Sequence, residues 1–272
     1  MIGVFDSGFG GLTVLKSVVQ EMPEYDYLYL GDSARVPYGE RSQETVYEYT
    51  IQAVDFLFKK GCRLVIIACN TVSSRALRRI QQEFLPGAYP DRKVLGVIRP
   101  SAEELVDRRC RKVGILATKG VVDSKIYTEE LAEIDPPIEI FYQPCPLLVP
   151  IIEAGRQDEV HCDELVSGYL DNLFAQEASI DTILLSCTHY PILYESFRRH
   201  TPPQVEILSQ GTIIADKLKD YLKRHPEVER RLSREGDRVF FSTGPLEAFD
   251  RLAGVFYGEP IHAIPATLGP PE

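Results

Sequence analysis

Ile2-Gly3-Val4-Phe5-Asp6-Ser7-Gly8-Phe9-Gly10-Gly11 opens the chain, and Val113-Gly114-Ile115-Leu116-Ala117-Thr118 repeats its character near the middle. Each is a short apolar run that stops at a small or polar turn and gives way to residues of helical period, the βα alternation of a parallel sheet. Behind the first run, Leu12, Leu15, Val19 and Met22 recur at helical spacing and Pro23 closes the segment. Tyr27-Leu28-Tyr29-Leu30 reads as a second strand, leading into Gly31-Asp32 and the loop Val36-Pro37-Tyr38-Gly39. A long helix with Val46, Tyr49, Ala53 and Phe56 on one face follows. A third strand, Leu64–Ala68, ends at Cys69-Asn70-Thr71, and a fourth, Val94–Ile98, ends near Pro100-Ser101.

The series then repeats. Thr182-Ile183-Leu184-Leu185-Ser186 runs into Cys187-Thr188-His189, and Val205–Leu208 matches the fourth strand. Gly3 and Gly114 lie 111 positions apart, Val97 and Leu208 also 111, and Cys69 and Cys187 118, which points to a weak internal duplication. The expected fold is therefore α/β: two similar parallel-sheet domains related by a pseudo-two-fold, one over residues 1–97 and 209–272, the other over 98–208. Val239-Phe240-Phe241-Ser242 is the strand that returns the chain to the first, and Gly269-Pro270-Pro271-Glu272 reads as a tail or a docked loop. Ligands of open parallel sheets bind beyond the carboxyl ends of the strands, so the expected site is a cleft between the two domains.

Composition narrows the function. The 272 residues are 44% hydrophobic and carry a net charge of -10, and basic residues cluster only in helix-like stretches such as Arg75–Arg79, which argues against a nucleic-acid partner. The N-terminus lacks the basic and apolar regions of a signal peptide, and no apolar run approaches the roughly 20 residues a membrane span needs, so a cytoplasmic protein is expected. Six cysteines spread over this length do not form a disulfide framework. There is no Cys-x-x-Cys and no His-x-x-x-His, so zinc is not expected at Cys187 and His189 or at His161 and Cys162. Cys62, Cys110, Cys145 and Cys162 read as packing or surface residues.

Cys69 and Cys187 differ from the other four. Each follows a strand, precedes a hydrogen-bonding pair and lies just before an expected helix start, where N–H groups and the positive helix end favour a thiolate over a free thiol with a pKa of about 8.5. A single such cysteine is more simply a buried small hydrophobe. Two at matched positions suit removal of a proton from one face of a carbon and delivery of a proton to the other. No Gly-x-Ser-x-Gly elbow points to a hydrolase. The Asp6–Gly11 loop lacks the Gly-x-Gly-x-x-Gly spacing and the Gly-Lys-Ser/Thr of nucleotide loops, but it can set Asp6 near an ammonium and Ser7 near a carboxylate. His189, two residues past Cys187, can protonate or orient groups beside that thiol.

The motifs Ile2–Val14, Gly31-Asp32-Ser33-Ala34-Arg35-Val36-Pro37-Tyr38-Gly39, Ala68-Cys69-Asn70-Thr71 and Cys187-Thr188-His189-Tyr190-Pro191 together resemble the glutamate racemase family, in order and over residues 2 to about 215. The resemblance implies that Cys69 and Cys187 are the proton donors and acceptors, acting without pyridoxal phosphate, metal or nucleotide. Substrate contacts are implied at Asp6, Ser7, Tyr38, Gly39, Asn70, Thr71, Thr188 and His189, with Thr118 a further ligand or a strand-end cap. Asp6, Glu153 and His189 are implied as supporting acid–base groups. The resemblance further implies a homodimer supplying D-glutamate for peptidoglycan, and hence for cell-wall biogenesis and cell shape.

The sequence departs from the family pattern at three places. Ser186 stands where a glycine usually precedes the second cysteine, Ser101 where glycine is common after Pro100, and Ser209-Gln210-Gly211 where an Asp-containing version is usual. A racemase of aspartate or another acidic amino acid is the near alternative, and a catalytically silent amino-acid-binding regulator the distant one.

Overall fold

The computed structural model describes residues 1–134 and 138–271. By contacts the chain divides into two compact units, Met1–Val97 with Gly211–Glu272, and Ile98–Gln210. Glu272, the last residue of the expected Pro-rich tail, lies outside the described residues.

The first unit is built on a six-stranded, wholly parallel sheet in the order β10-β9-β2-β1-β3-β4. Its strands are β1 (Ile2–Asp6), β2 (Tyr27–Gly31), β3 (Leu64–Ile67), β4 (Lys93–Gly96), β9 (Arg238–Ser242) and β10 (Ala263–Pro265). Every residue of β1, β2 and β3 is buried, which is why their sequences are continuous apolar runs rather than alternating ones. The second unit carries a four-stranded parallel sheet, β6-β5-β7-β8, made of β5 (Lys112–Ala117), β6 (Glu139–Pro144), β7 (Thr182–Ser186) and β8 (Glu206–Ser209). Within each unit the first four strands run second-first-third-fourth across the sheet, so the duplication read from spacing is also a duplication of topology.

Several sequence expectations are corrected. β4 ends at Gly96 rather than Ile98, because Ile98 already opens the helix Ile98–Asp107. On the helix Gly11–Glu21 the buried face is Leu12, Val14, Leu15 and Val18, with Val19 only half-buried. On the helix Gln43–Lys59 the core line is Val46, Thr50, Ala53, Val54, Leu57 and Phe58. Tyr49 and Phe56 form its rim, Tyr49 under the Arg35 guanidinium at 3.9 Å and Phe56 edge-on to Phe241 at 5.2 Å. Strands β6 and β10 were not anticipated. Both lie at sheet edges, and β6 begins with an exposed Glu139 and has only two fully buried residues while β10 is only three residues long, so neither gives the dense apolar run of an interior strand. After β10 the chain is docked: the Ala266 N–H donates to the Ser242 carbonyl at 2.8 Å and Leu268 packs on the core, beyond which Gly269 and Pro270 are exposed.

Among the described residues no helix is long and apolar enough to cross a membrane.

Candidate active site

In the first unit the site residues gather at the carboxyl ends of β1, β2 and β3. The Asp6 side chain is fully buried and its carboxylate accepts from the Gly8 N–H at 2.9 Å, an Asx-type turn that bends the chain towards the next helix. That helix starts against Asp6: a Cβ on Gly11 would fall 2.5 Å from Asp6 Cβ and 3.0 Å from Ala68 Cβ, so only glycine allows the approach. Phe5 pairs with Ile67 in register and the Ala68 N–H reaches the Phe5 carbonyl at 2.8 Å. Two residues further along each strand, the Ser7 hydroxyl and the Cys69 thiol meet at 3.4 Å. Cys69 sits at the N-cap of the helix Asn70–Arg75 with extended backbone, and its carbonyl accepts from the Ser73 N–H at 2.9 Å. Asn70 and Thr71 are buried in the first turn of that helix.

Two further groups complete this half. Tyr38 is buried and its phenol donates to the Asp32 carboxylate, which also receives Arg35 Nε at 2.6 Å and the Thr243 hydroxyl at 2.7 Å. Burial, then the Asp32 charge, push the Tyr38 phenol far above its ordinary range, so it remains a neutral donor. Tyr38 and Gly39 are thereby held on a short 3₁₀ turn, Tyr38–Glu40. Tyr29, which sequence reading placed only in a strand, is a buttress: wholly buried, its hydroxyl donates to the Gly8 carbonyl at 2.9 Å. Burial, then negative charge at Asp6 and Cys69, raise its pKa well above the usual value.

In the second unit Ala117 pairs with Ser186, so Thr118 and Cys187 emerge side by side from β5 and β7, as Ser7 and Cys69 emerge from β1 and β3. Thr118 occupies the N-cap of the helix Lys119–Ser124, where its side chain makes no capping bond. Cys187, however, is not followed by an α-helix, a correction to the symmetric placement expected. Thr188 and His189 form a turn, the Tyr190 N–H bonds the Cys187 carbonyl at 3.1 Å, and a 3₁₀ segment Tyr190–Leu193 comes before the helix Tyr194–His200. Pro191 has no N–H to continue an α ladder there.

His189 takes the place of the missing helix end. Its ring is buried, with Nδ1 4.0 Å from the Cys187 sulfur and 3.5 Å from the Thr188 hydroxyl, and Nε2 2.9 Å from Glu153 Oε1. Glu153 ends the helix Leu148–Glu153, and Gly155, at φ +70°, turns the chain away just beyond it. Burial alone would lower the His189 pKa, but the hydrogen bonds to Cys187 and Glu153 outweigh it and raise the imidazole from 6.5 to about 10. The carboxylate fixes the proton on Nε2 and turns Nδ1 to the sulfur, so His189 can hold a proton opposite a thiolate or take one from a thiol.

The other cysteines sit in different surroundings: Cys110 accepts from the Thr182 hydroxyl at 3.4 Å, and Cys145 donates to the Gln143 carbonyl at 3.6 Å. Burial pushes Cys62 up to about 12 and keeps Cys145, Cys110 and Cys162 above the ordinary thiol range. No disulfide joins any of the six, and all are buried. Among the described residues no group of three or more His, Cys, Asp or Glu side chains is arranged to hold a metal ion.

Comparison with known proteins identifies the family. The profile of the Asp/Glu/Hydantoin racemase family matches residues 2–218. The chain belongs to that family. This racemase is 38% identical over 271 residues to the glutamate racemase of Paracoccus denitrificans, covering 96% of this chain and 97% of the other. It superposes on the crystal structure of glutamate racemase isoform RacE1 from Bacillus anthracis with a TM-score of 0.88, at 30% identity and 98% and 97% coverage. Against glutamate racemase from Francisella tularensis in complex with D-glutamate the TM-score is 0.85, at 29% identity and again 98% and 97% coverage.

Proposed function

We propose that this racemase interconverts L- and D-glutamate through Cys69 and Cys187, without an organic cofactor, and that the D-glutamate serves peptidoglycan synthesis. The observation that carries the reading is the paired construction of the two half-sites. A thiol stands at the end of the third strand of each unit, beside a hydroxyl residue at the end of the first: Ser7 with Cys69, Thr118 with Cys187. The substrate assignment draws on the relatives named above and on the polar groups gathered here.

In each turnover one cysteine, as thiolate, takes the α-proton and the carbon becomes a carbanion delocalised into its carboxylate. The other, as thiol, returns a proton to the opposite face, so the two thiols end with their protonation states exchanged. Glu153 and His189 serve Cys187 by holding a proton opposite its thiolate. Asp6 meets the substrate ammonium, while Ser7, Asn70, Thr71, Thr118 and Thr188 supply donors for the carboxylates. Those local dipoles must offset a whole-protein charge of -10, which repels a dicarboxylate, and they also stabilise the carbanion, for which a thiolate alone is a weak base.

Purified protein incubated with L-glutamate, and separately L-aspartate, in heavy water tests the reading. Loss of the α-proton signal and of optical rotation with glutamate, abolished in Cys69→Ser and Cys187→Ser, supports it. Turnover of aspartate alone reassigns the substrate, and binding of glutamate without exchange under reducing conditions overturns catalysis in favour of a binding protein.

A further inference from the structure

The three departures from the family pattern converge on one phenol. Ser101 lies in the first turn of the helix Ile98–Asp107, Ser186 is the last residue of β7, and Gln210 opens the helix Gln210–Arg224. The Ser186 hydroxyl donates to Tyr127 Oη at 2.7 Å, and the Gln210 amide nitrogen donates to Tyr127 Oη at 3.1 Å and to Ser101 Oγ at 2.9 Å. Ser101 also hydrogen-bonds the phenol. Ser101, Tyr127 and Ser186 have no exposed surface and Gln210 almost none. Tyr127 comes from a fourth element, the helix Ile126–Ile134, and burial above all holds its phenol well above the ordinary range.

A dry polar cluster of this kind has few alternative arrangements, because each group that loses its partner is left desolvated. It therefore locks four chain segments to one another. One of those segments is the strand end whose next residue is Cys187.

We infer that the Ser101–Tyr127–Ser186–Gln210 network is a positioning device that fixes the Cys187 backbone and so the aim of its sulfur at the α-carbon. The inference rests on the reading of Cys187 as an acid–base group. Serine at 186 adds a side chain that must be anchored, and Tyr127 with Gln210 provides the anchor. The network touches no reacting atom, so its loss acts on alignment. A shift of about 1 Å at a reacting group costs on the order of 10²-fold in rate.

The test is Tyr127→Phe, which keeps the ring and removes the shared oxygen, measured in both reaction directions with α-deuterated L- and D-glutamate. Because the enantiomers have equal energy, kcat/KM must remain equal in the two directions, and the asymmetry appears elsewhere. The expected result is a fall in kcat of roughly 10- to 100-fold, about 1.4–2.7 kcal/mol of transition-state stabilisation, with KM altered less than about threefold on the same alignment argument. The deuterium effect should rise for the enantiomer whose proton Cys187 removes and fall for the other, where return of a proton from Cys187 becomes the slower step. Coupling supplies a second arm: Ser186→Gly removes the side chain that needs the anchor, so Tyr127→Phe combined with Ser186→Gly should recover much of the lost kcat. If Tyr127→Phe does not fold, Ser186→Ala carries the same kcat and isotope-effect test.

Unchanged kcat in folded Tyr127→Phe, or equal isotope effects in both directions, overturns the inference. Cys187→Ser assayed alongside separates the two ideas: if it still racemises, the two-thiol reading itself fails, whereas an inactive Cys187→Ser beside a fully active Tyr127→Phe removes only the positioning role.

Discussion

The two cysteine half-sites share a strand order and differ in what faces the sulfur. Cys69 has a helix start behind it and the Ser7 hydroxyl beside it at 3.4 Å, groups that do not titrate near neutral pH. Cys187 has a turn and a 3₁₀ segment behind it, and faces an imidazole backed by a carboxylate at 2.9 Å. One half offers fixed dipoles and the other an ion pair. A duplicated strand order can thus set two thiols at matched strand ends in unequal electrostatic surroundings, with a titrating imidazole beside only the second.

The largest expected effect tests the symmetry of the thiols. Cys69→Ser and Cys187→Ser should each lower racemisation by about 10²–10⁴-fold, the range of a lost acid–base group. Circular dichroism should show both folded, and a large loss in only one would break the equivalence of the halves. Next comes the ion pair. His189 has its folded pKa raised to about 10, so the stability it contributes is fully present below about 6.5 and is lost as pH rises through about 10. The alkaline limb of kcat/KM should therefore lie near pH 10. In Glu153→Gln, which removes one of the two raising partners, it should move towards neutrality. A pH–rate profile that does not move shows that Glu153 does not set the protonation of His189.

A third effect belongs to the Cys69 half alone. Gly11→Ala forces a methyl against Asp6 and Ala68 and should cost about 1–3 kcal/mol of stability by overpacking, read as a lower Tm. The smallest is Ser7→Ala. Losing one contact at the long end of hydrogen-bond reach should reduce kcat by no more than about tenfold, with no shift of the alkaline limb. A shifted limb would show that the Cys69 thiol, and not His189 alone, sets it.

The interior strands were legible because burial on both faces demands runs such as Leu64–Ile67, and their ends located the polar turns. The cysteines stood out by their matched positions. Edge strand β6 was not legible, since only Tyr142 and Gln143 in it are fully buried and Glu139 is exposed, so its sequence lacks a continuous apolar run. The turn after Cys187 was hidden for a different reason: Cys187-Thr188-His189 and Cys69-Asn70-Thr71 look alike, and the difference is imposed by Pro191 further on. Pairing of His189 with Glu153, 36 positions away, has no local signal at all. Nor does the convergence of Ser101, Ser186 and Gln210, which the sequence marks as separate oddities and only the packing around Tyr127 joins.

The order of strands in the first sheet also sets a timetable. β2 leaves the ribosome well before its neighbour β9, which begins at Arg238 and pairs with it residue by residue from Tyr27 to Gly31. Roughly 200 residues of further synthesis, on the order of 10–40 s, separate the two. During that interval the Ile98–Gln210 unit, contiguous in sequence, can complete its own sheet, while β2 presents an open row of backbone donors and acceptors. The half of the enzyme translated first is thus the half finished last, and its unpaired edge is the nascent chain's period of greatest exposure to misassembly.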